Sequence, residues 1–521
     1  MSHAGPDNPP PRDKPPRDKP ALILGDRTLT FGQLDDRSTR LAHGLAALGV
    51  AAGDRVAVML PNGFEFFEAA TAASKLDAAV VPVNWHLKSD ELAWILADSE
   101  AKVLVTDQAI WSTVADVTAR VAGWSRVVVG DAGATGYEAL MAAAGDTPEP
   151  LTAPASFTPV FYTSGTTGRP KGVVHRSFAA DRAAIERGQQ SQVALWNWTT
   201  ADVHLLCGPV YHAGPGGWTM TALYIGATTV IMPEWDASAW LDLVARHRVT
   251  RAFMVPAHFI RLLEVGTAGH DLSSLELIVH AAAPCPTAVK QRIISALEPA
   301  EVWELYGMSE GGATRISPAE WLAHPGSVGT PWPGVAIHIV SESGEELGPG
   351  ETGLIYVSPP GGARFHYHND PDKTVGAWRD GELAGFTVGD IGHLDADGFL
   401  YITDRAADMV IRGGVNVYPR EVEEVLYEHP DVVDCAVFGI PDARLGERLK
   451  AMVERRPGSA ATAADLVGWC EGRLARFKCP EVVELVVTLP RDPNGKVLKR
   501  RLRDAHWGDG TVQVDSHVRV R

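Results

Sequence analysis

The sequence has few cysteines, no excess of positive charge and no long hydrophobic run. Its 5 cysteines among 521 residues are scattered and show no C-x-x-C spacing, so we expect a reducing compartment and neither a disulfide framework nor a zinc site. Lys and Arg number 47 against 64 Asp and Glu, which gives a formal charge of −17. This balance argues against a nucleic-acid partner, because phosphate backbones are bound through clustered cations.

The apolar segments are all short. None approaches the ~20 residues that span a bilayer, and the N-terminus has no basic-then-apolar run of the kind typical of a signal peptide. We therefore expect a cytoplasmic protein without a membrane partner, and a monomer and a homo-oligomer stay equally open. With 45% hydrophobic residues, the chain is long enough to form two or more folding units.

Composition changes along the chain. Residues 1–20 contain PPRDK twice and almost nothing apolar, which predicts a disordered, proline-rich tail. From Ala21 onwards, segments typical of strands and helices alternate, and this alternation predicts a parallel sheet with helices on its faces. Glycine- and proline-rich β segments near 328–340 and 352–358 predict an additional β-rich subdomain.

The pattern changes again around Asp404. A strand and a turn lead into a helix that Pro419 is well placed to start, and short alternating segments follow. This C-terminal stretch has the size of a small domain. The sequence therefore predicts a large N-terminal α/β domain over 21–404 and a small α+β C-terminal domain over 405–521.

The stretch from Tyr162 to His175, YTSGTTGRPKGVVH, combines hydroxyls, glycines and a lysine. It is not a Walker A loop, because Lys171 lies between Pro170 and Gly172 and no hydroxyl follows it. Its glycines allow backbone N–H groups to close on a polyphosphate, and the lysine adds a mobile positive charge. The stretch therefore predicts a phosphate-binding loop of another kind.

The loop TSGTTGRPKG resembles the signature of the adenylate-forming superfamily, which includes the acyl-CoA synthetases, the luciferases and the adenylation domains of peptide synthetases. Four further motifs follow in the family's order: ELYGMSEGG (304–312), VGDIGHLDADGFLYITDR (388–405), IRGGVNVYPREVE (411–423) and LPRDPNGKVLKRRLR (489–503). The resemblance covers essentially everything after residue 20. It implies an enzyme whose small C-terminal domain is mobile.

The resemblance also implies a reaction. A small-molecule carboxylate attacks the α-phosphate of ATP, pyrophosphate leaves, and a thiol, expected to be that of CoA, displaces AMP from the acyl-adenylate. Negative charge builds on the phosphates, so cations and oriented donors are the catalytic equipment. By resemblance, Glu310 holds Mg²⁺, a cation that prefers oxygen ligands, and Lys496 bridges the carboxylate and the α-phosphate.

Further roles follow from matching positions in the family motifs. Ser309 keeps a hydroxyl for the α-phosphate, and Tyr306 offers a flat face to adenine. Asp390 and Arg405 are assigned to the ribose. The full set that the resemblance assigns to ATP or AMP is Thr163, Ser164, Gly165, Thr166, Thr167, Lys171, Tyr306, Ser309, Asp390 and Arg405. The residues assigned to the CoA tunnel are Arg412, Gly413 and Gly414.

The pocket for the acid is assembled from several segments. His212, in GPVYHAGPGGW (208–218), resembles the family's Pro-x-x-His element beside the acyl group and is given a catalytic role. AAAPC (281–285) departs from the more usual Gly-Gly-Ala-Pro of the family. The predicted pocket residues are His212, Gly214, Trp218, Val255, His258, Ala281 and Ala282. They indicate a medium or bulky apolar acid, whose identity stays open.

The family pattern is interrupted at the hinge of the C-terminal domain, where Asp or Lys is usual and this chain has Ala407. Two alternatives to a CoA ligase therefore stay open. One is an adenylating enzyme that passes its activated group to an amine, a carrier-protein thiol or another acceptor, or that activates nitrite. The other is a non-catalytic nucleotide-binding protein. Lys499 and the arginines after it are interpreted as solvated charge.

Overall fold

The computed structural model describes residues 14–133, 136–145, 149, 151, 158–163, 169–175, 182–492 and 495–507. In this part of the chain, no helix combines the length and the apolar character needed to cross a membrane. The chain divides into two compact units. Unit 1 comprises Met1–Tyr162, Arg176–Glu234 and Arg246–Arg251, and unit 2 comprises Thr163–His175, Trp235–Ala245 and Ala252–Arg521.

Strands and helices alternate over the first half of the chain. The strands are β1 (Pro20–Leu24), β2 (Arg27–Thr30), β3 (Arg55–Met59), β4 (Ala79–Pro82), β5 (Val103–Asp107), β6 (Ser125–Val129), β7 (Phe161–Thr163), β8 (Lys171–His175), β9 (Val203–Leu206), β10 (Thr228–Ile231) and β11 (Arg251–Met254). The helices are α1 (Phe31–Ala47), α2 (Phe64–Lys75), α3 (Ser89–Ser99), α4 (Gln108–Val114), α5 (Tyr137–Ala142), α6 (Arg182–Leu195), α7 (Ala213–Ile225) and α8 (Ala237–His247).

The second half is richer in strands. They are β12 (Leu277–His280), β13 (Glu301–Met308), β14 (Gly311–Ile316), β15 (Thr330–Pro331), β16 (Ala336–Val340), β17 (Gly353–Ser358), β18 (Phe365–Tyr367), β19 (Trp378–Arg379), β20 (Gly385–Phe386), β21 (Asp390–Leu394), β22 (Leu400–Arg405), β23 (Val410–Arg412), β24 (Val415–Val417), β25 (Val432–Asp442), β26 (Gly446–Arg455) and β27 (Val482–Val486). The helices are α9 (Pro256–Val265), α10 (Thr287–Ala296), α11 (Pro318–Ala323), α12 (Pro371–Ala377), α13 (Pro419–Tyr427), α14 (Ala463–Glu471) and α15 (Lys499–Trp507).

Unit 1 contains a parallel four-stranded sheet in the order β4-β3-β5-β6. Val56, Val58 and Met59 on β3 have no exposed surface, as expected of a parallel strand that is buried on both faces. A second group of strands, β9-β10-β1, is also parallel, and β2 returns antiparallel to β1. Leu41 and Leu45 on α1 are fully buried in the apolar core of the unit, as their spacing predicts.

Residues 14–20, the last part of the segment predicted to be a disordered tail, are among the described residues. Arg17 pairs with Asp36 at 2.7 Å, and the Lys19 ammonium donates to the carbonyl of Gly226 at 2.6 Å. Both cations belong to the segment that composition assigned to the disordered tail. Their charges find acidic and carbonyl partners on the folded surface, so the last residues of that segment pack against unit 1. Residues 1–13 lie outside the described residues.

Among its described residues, unit 2 contains four sheet regions, one of which is the antiparallel pair of β8 and β18. Strands β12 and β13 are parallel, and β13, β14 and β15 are antiparallel. An antiparallel sheet in the order β19-β20-β17-β21-β22, with β16 on β17, forms the β-rich subdomain. The C-terminal part has the order β24-β23-β26-β25, with β27 parallel to β26, and α13 starts at Pro419 as predicted. These elements confirm the predicted fold class.

All five cysteines belong to the described part of the chain and are buried thiols. Burial raises the pKa of Cys285 and Cys435 well above the ordinary thiol value. It raises the pKa of Cys470 to about 12. Because the thiolate is the reactive form of cysteine, these groups are chemically quiet.

Candidate active site

The phosphate loop is flanked by strands β7 and β8. Thr163 ends β7, and Lys171 begins β8. Both residues belong to unit 2. The four loop residues on which the sequence analysis placed backbone and hydroxyl contacts lie outside the described residues: Ser164, Gly165, Thr166 and Thr167.

Strand β8 presents Lys171 and His175 on one face, because alternate side chains of a strand point to the same side. It pairs with β18, where Tyr367 stands opposite Val173. The Lys171 Nζ lies 4.8 Å from the centre of the Tyr367 ring, within the range of a cation–π contact. Burial lowers the pKa of Lys171, and the neighbouring charge of Lys373 lowers it further.

Glu310 follows β13 and is held by the same tyrosine. The Tyr367 hydroxyl donates to Glu310 Oε1 at 2.7 Å. Burial, together with the Glu310 carboxylate, raises the pKa of Tyr367, so the phenol stays protonated and acts as a donor. Tyr367 therefore contacts both groups, Lys171 over its ring and Glu310 at its hydroxyl.

Ser309 is anchored through its backbone. His175 Nε2 bonds to the Ser309 carbonyl oxygen at 2.8 Å. Burial lowers the pKa of His175, so the imidazole is neutral at pH 7 and donates through Nε2. This bond links β8 to the segment that follows β13, and it leaves the Ser309 side chain uninvolved in the anchoring.

Tyr306, Asp390 and Arg405 form one cluster. The Tyr306 hydroxyl donates to Asp390 Oδ2 at 2.7 Å, and Arg405 Nε donates to Asp390 Oδ1 at 3.2 Å. Asp390 and Arg405 stand opposite each other on the antiparallel strands β21 and β22, which fixes their distance. Burial and the Asp390 charge raise the pKa of Tyr306 well above its ordinary value, so the phenol remains a donor.

Lys496 reaches this cluster from the far end of the chain. The positive charge of Arg405 is the largest cause that lowers the pKa of Lys496, and burial follows. The turn that carries Lys496 is closed by two bonds with Asp492, from the Asp492 N–H to the Lys496 carbonyl and from the Lys496 N–H to Asp492 Oδ1, each 2.9 Å. The lysine is thus half-buried and within the electrostatic influence of Arg405, rather than on an exposed turn.

Gly495 explains how the lysine turn approaches so closely. Its φ is +79°, and a Cβ at this position would lie 2.9 Å from Ala257 Cβ and 3.2 Å from Val255 Cγ2. Glycine therefore meets two requirements here, a left-handed backbone and the absence of a side chain.

Arg412, Gly413 and Gly414 lie at the turn of the β23–β24 hairpin, where Arg412 stands opposite Val415. Gly413 and Gly414 both have positive φ, at 59° and 84°, as a two-residue type I′ turn requires. Arg412 forms an ion pair with Glu481 and donates to the carbonyl of Phe477. In this structure the arginine is therefore engaged within the C-terminal part.

The residues that the sequence assigned to the acid pocket are divided between the two units. In unit 1, His212 caps the N-terminus of α7, and Gly214 lies in the first turn of that helix. Trp218 is 7% exposed, and its ring lies 5.5 Å from that of Trp196 and 5.2 Å from that of Trp198. Trp218 is therefore part of an aromatic core cluster, and a pocket-facing role for it stays a prediction.

In unit 2, Val255 caps the N-terminus of α9, and His258 is stacked on Trp235 with ring centres 3.8 Å apart. Burial lowers the pKa of His258 to about 3, so this imidazole is neutral at physiological pH. Ala281 is buried. Ala282 is exposed and has a φ of 75°, a left-handed conformation that disfavours alanine.

The segment around Ala407 is held by basic residues of α15. Arg503 Nη1 donates to the Ala407 carbonyl at 3.1 Å. Lys499 Nζ pairs with Glu423 Oε1 at 2.7 Å, with 22% of the lysine side chain exposed. The interpretation of these cations as solvated charge is wrong, because the acceptors that they meet lie 76 or more positions away in sequence and leave no local signal.

Two residues of the site carry no assignment from the sequence. Tyr367 joins Lys171 to Glu310, and His175 anchors Ser309. His175 is the last residue of the stretch Tyr162–His175 that was singled out from the sequence. Its spacing of four residues from Lys171 on one strand could have indicated that both side chains lie on the same face. Tyr367 offered none, because its role depends on the pairing of β18 with β8.

The chain combines an α/β part, a β-rich subdomain with a Tyr-Asp-Arg cluster, and a C-terminal part that carries a lysine. This is the architecture of an adenylate-forming enzyme. Residues 12–367 match the AMP-binding enzyme family, and residues 421–496 match the AMP-binding enzyme C-terminal domain. The chain belongs to this family and is an acyl-CoA synthetase-like ligase.

Three known proteins show the extent of the similarity. The chain is 35% identical over 508 residues to the fatty acid–acyl-carrier-protein ligase ScoC of Streptomyces coeruleorubidus, covering 95% of each chain. It is 35% identical over 504 residues to a feruloyl-CoA synthase of an Amycolatopsis species, covering 93% of this chain and 95% of the other. The solved structure of ATP-bound MatB from Rhodopseudomonas palustris is 29% identical, with a TM-score of 0.81 over 94% of this chain and 96% of that chain.

Proposed function

We propose that the protein activates a carboxylic acid with ATP and transfers the acyl group to the thiol of CoA. In the first half-reaction, a carboxylate oxygen bonds to the α-phosphorus, the bond to the bridging oxygen breaks, and pyrophosphate leaves. In the second, the thiol loses its proton, the sulfur attacks the acyl carbonyl carbon, and AMP leaves. The similarity to a CoA synthase and to an acyl-carrier-protein ligase supports this pair of steps.

The observation that carries the proposal is that the turn of Lys496, whose Gly495 packs against Val255 and Ala257, brings the lysine within the electrostatic influence of Arg405. Two cations in a half-buried site repel each other, and the lowered pKa of Lys496 is the result. An anion that entered between them would relieve the repulsion. The α-phosphate gains negative charge as it is attacked, so the pair is suited to stabilise that transition state more than the ground state.

The Tyr306–Asp390–Arg405 cluster is suited to hold the nucleoside. A carboxylate has about four acceptor sites, and Asp390 uses one oxygen for Tyr306 and the other for Arg405. Acceptor capacity is left for the ribose hydroxyls, while the two donors orient the carboxylate. We assign the ring of Tyr306 to adenine and the backbone and hydroxyls of 163–167 to the phosphates.

Glu310 fits the role of a Mg²⁺ ligand. Its Oε1 accepts one hydrogen bond from Tyr367, and carboxylate oxygens have lone pairs to spare for a hard cation. The bound ion would supply positive charge to the phosphates. Tyr367 would orient the carboxylate, and Lys171 would add a second cation within the same small region.

A second acceptor class is supported by Ala407. The hinge residue carries only a methyl group, and Arg503 donates to its backbone carbonyl. The segment after Arg405 is proposed to be mobile, with Arg412, Gly413 and Gly414 serving the incoming thiol. A carrier-protein thiol would undergo the same chemistry as CoA, and the similarity to an acyl-carrier-protein ligase makes it the favoured alternative.

One experiment tests the activity and the acceptor together. The purified full chain is incubated with ATP, Mg²⁺ and a panel of aromatic and aliphatic acids, without an acceptor, with CoA, or with a phosphopantetheinylated carrier protein. Pyrophosphate, AMP and product mass are followed. An acyl-CoA product supports the main proposal, and acylation of the carrier alone supports the alternative. Silence over the whole panel would contradict both and favour a non-catalytic role.

A further inference from the structure

A cavity of about 220 Å³ in unit 2 is lined by none of the residues assigned above to ATP, Mg²⁺ or CoA. Helices α9 and α10 form one wall, and the end of α13 and the start of β25 form the other. These walls belong to segments on opposite sides of Arg405 in the chain. The cavity therefore exists only while the two segments are in contact.

The contacts beside the cavity are specific. Arg261 Nη1 and Nη2 bond to the two carboxylate oxygens of Glu454 at 2.8 and 3.2 Å. Glu424 Oε2 accepts the backbone N–H of Thr287 at 3.0 Å. Thr287 is the first residue of α10, so a carboxylate on α13 satisfies one of the unpaired donors at that helix end. A fork-like ion pair and a helix cap thus hold the two walls together.

The lining is mainly apolar, and its charged rim consists of two arginines and two glutamates. The apolar part is formed by Ile260, Leu263, Val289, Val432 and Val433. Two of its four charged rim residues are acidic, but each acid already faces an arginine: Glu264 lies 2.7 Å from Arg261, and Glu428 lies 3.8 Å from Arg473.

The two arginines of the rim are Arg292 and Arg456. Arg456 is fixed at the wall by a bond from its Nε to the Pro430 carbonyl at 2.6 Å. Among the described residues 182–492, Arg292 has no carboxylate within ion-pair distance. His429 also lines the rim, and its Nδ1 accepts the N–H of Asp431. The cavity therefore offers an apolar floor beneath guanidinium groups.

We propose that this cavity binds a small apolar carboxylate, of about the size of a benzoate, and that the bound acid holds the two segments in the present arrangement. An apolar cavity of ~150 Å³ accepts a benzene molecule, so the additional volume here suits a carboxylate group. The guanidinium of Arg292 supplies the charge-assisted hydrogen bonds. The ligand belongs to the same chemical class as the proposed substrate, so the acid becomes an effector at a second site.

The consequence follows from linkage. A ligand that binds only one arrangement favours it by the factor 1 + [L]/Kd, roughly elevenfold at ten times Kd. The inference rests on the proposed function in one respect, because it requires the segment after Arg405 to move between adenylation and thiol transfer. Occupation of the cavity then slows transfer and leaves adenylation intact.

The location of the ligand is tested first, independently of activity. Crystals of the full chain are soaked with 4-bromobenzoate, and the anomalous signal of bromine is located. Bromine in the cavity of the wild type, and none there in Ala288→Phe, which fills the space from α10, supports the proposal. An empty cavity at saturating 4-bromobenzoate would overturn it, whatever the enzymatic activity of the chain.

The effect is tested in single turnovers that start from preformed acyl-adenylate, so that the acid site is already occupied. Benzoate at ten times its Kd is expected to slow thiol transfer roughly tenfold in the wild type. Arg292→Met, which keeps the bulk of the side chain and removes its charge, should weaken benzoate binding by roughly tenfold or more. Arg292→Lys should retain most of the effect. Equal inhibition of the wild type and Arg292→Met would refute the site.

Discussion

Positive charge is concentrated around Arg405, where single residues decide the chemistry. Lys496 is brought to it by a turn that is closed on Asp492, and Asp390 compensates part of the charge. The charges of Arg405 and Lys496 oppose each other, and Asp390, Asp408 and Asp492 offset part of that repulsion. The arrangement is therefore suited to an anionic ligand.

Removal of the lysine tests this directly. Lys496→Ala should reduce adenylation by a factor of about 100 or more, because a donor aimed at developing charge is lost. ATP binding should remain close to normal, since Tyr306 and Asp390 are untouched. Acid-dependent pyrophosphate exchange and calorimetric ATP titration measure the two quantities. Lys88→Ala, at an exposed lysine, is the matched control, and normal adenylation in Lys496→Ala would contradict the assigned role.

The lowered pKa of Lys496 also predicts a pH profile. Adenylation needs the protonated ammonium, so kcat/KM for adenylation should decline as pH rises through the lysine pKa, which Arg405 and burial hold below its ordinary value. Arg405→Gln removes the largest cause of that lowering. Its alkaline limb should therefore move to higher pH, even though its maximal rate falls. A limb that stays in place would show that another group titrates.

Ala282 carries backbone strain at the pocket segment. Its φ of 75° lies in the left-handed region, and its side chain is exposed, so substitution leaves no cavity. Ala282→Gly is expected to raise the free energy of unfolding by about 1 kcal/mol. Ala283→Gly, next to it and without a positive φ, should instead lower that free energy by about 0.5–1 kcal/mol. Urea denaturation of both variants distinguishes relief of strain from a general effect of glycine.

The limits of the sequence are clearest at particular residues. Lys171, Glu310, Asp390 and Lys496 could be named because each lies inside a continuous motif. Tyr367 could not, because only the pairing of β18 with β8 brings it to Lys171. Contacts of this kind depend on strand register, which a single sequence does not specify.

At the scale of elements, short turns and strand pairs place the functional groups. The β21–β22 pair sets Asp390 opposite Arg405, and the turn before α15 carries Lys496. Strand and helix positions followed from periodicity, and the start of α13 at Pro419 followed from the preference of proline for the first turn of a helix. The residues that neighbour each turn could not be predicted in this way, because they come from distant parts of the chain.

The lysine turn can be displaced without touching the lysine. In Gly495→Ala, the new Cβ would lie 2.9 Å from Ala257 Cβ, in addition to the strain of a φ of +79°. The turn should shift by a fraction of an ångström to an ångström, and adenylation should fall about 100-fold. Gly458→Ala has a similar φ of +80° and nothing within 4 Å. Gly458→Ala should therefore lower the free energy of unfolding, as Gly495→Ala does, but leave adenylation unchanged.

At the scale of the whole molecule, polar contacts join the described residues before and after Arg405. Glu454 is 9% exposed and forms the most complete of these, with both oxygens on Arg261. Contacts of this strength suit a joint that must open and close, since each contributes only about 1–3 kcal/mol to holding the two segments together. The two half-reactions should therefore respond differently when a contact is removed.

Glu454→Gln tests this expectation. The change weakens the joint by about 1–2 kcal/mol, so adenylation should slow several-fold while thiol transfer from preformed acyl-adenylate does not slow. Glu264→Gln is the matched control, because Glu264 contacts the same Arg261 Nη1 at 2.7 Å but leaves the Glu454 pair intact. Rapid-quench measurement of each half-reaction decides the outcome, and equal slowing of both steps would contradict it.

The burial of every cysteine has a consequence for an enzyme of this kind. An acyl-adenylate is a strong acylating agent, and any accessible thiolate on the protein would compete with the intended acceptor. Burial keeps the thiols of Cys285, Cys435 and Cys470 protonated through their raised pKa values. The protein is thereby protected from self-acylation, and each activated acyl group is reserved for the thiol that arrives from outside.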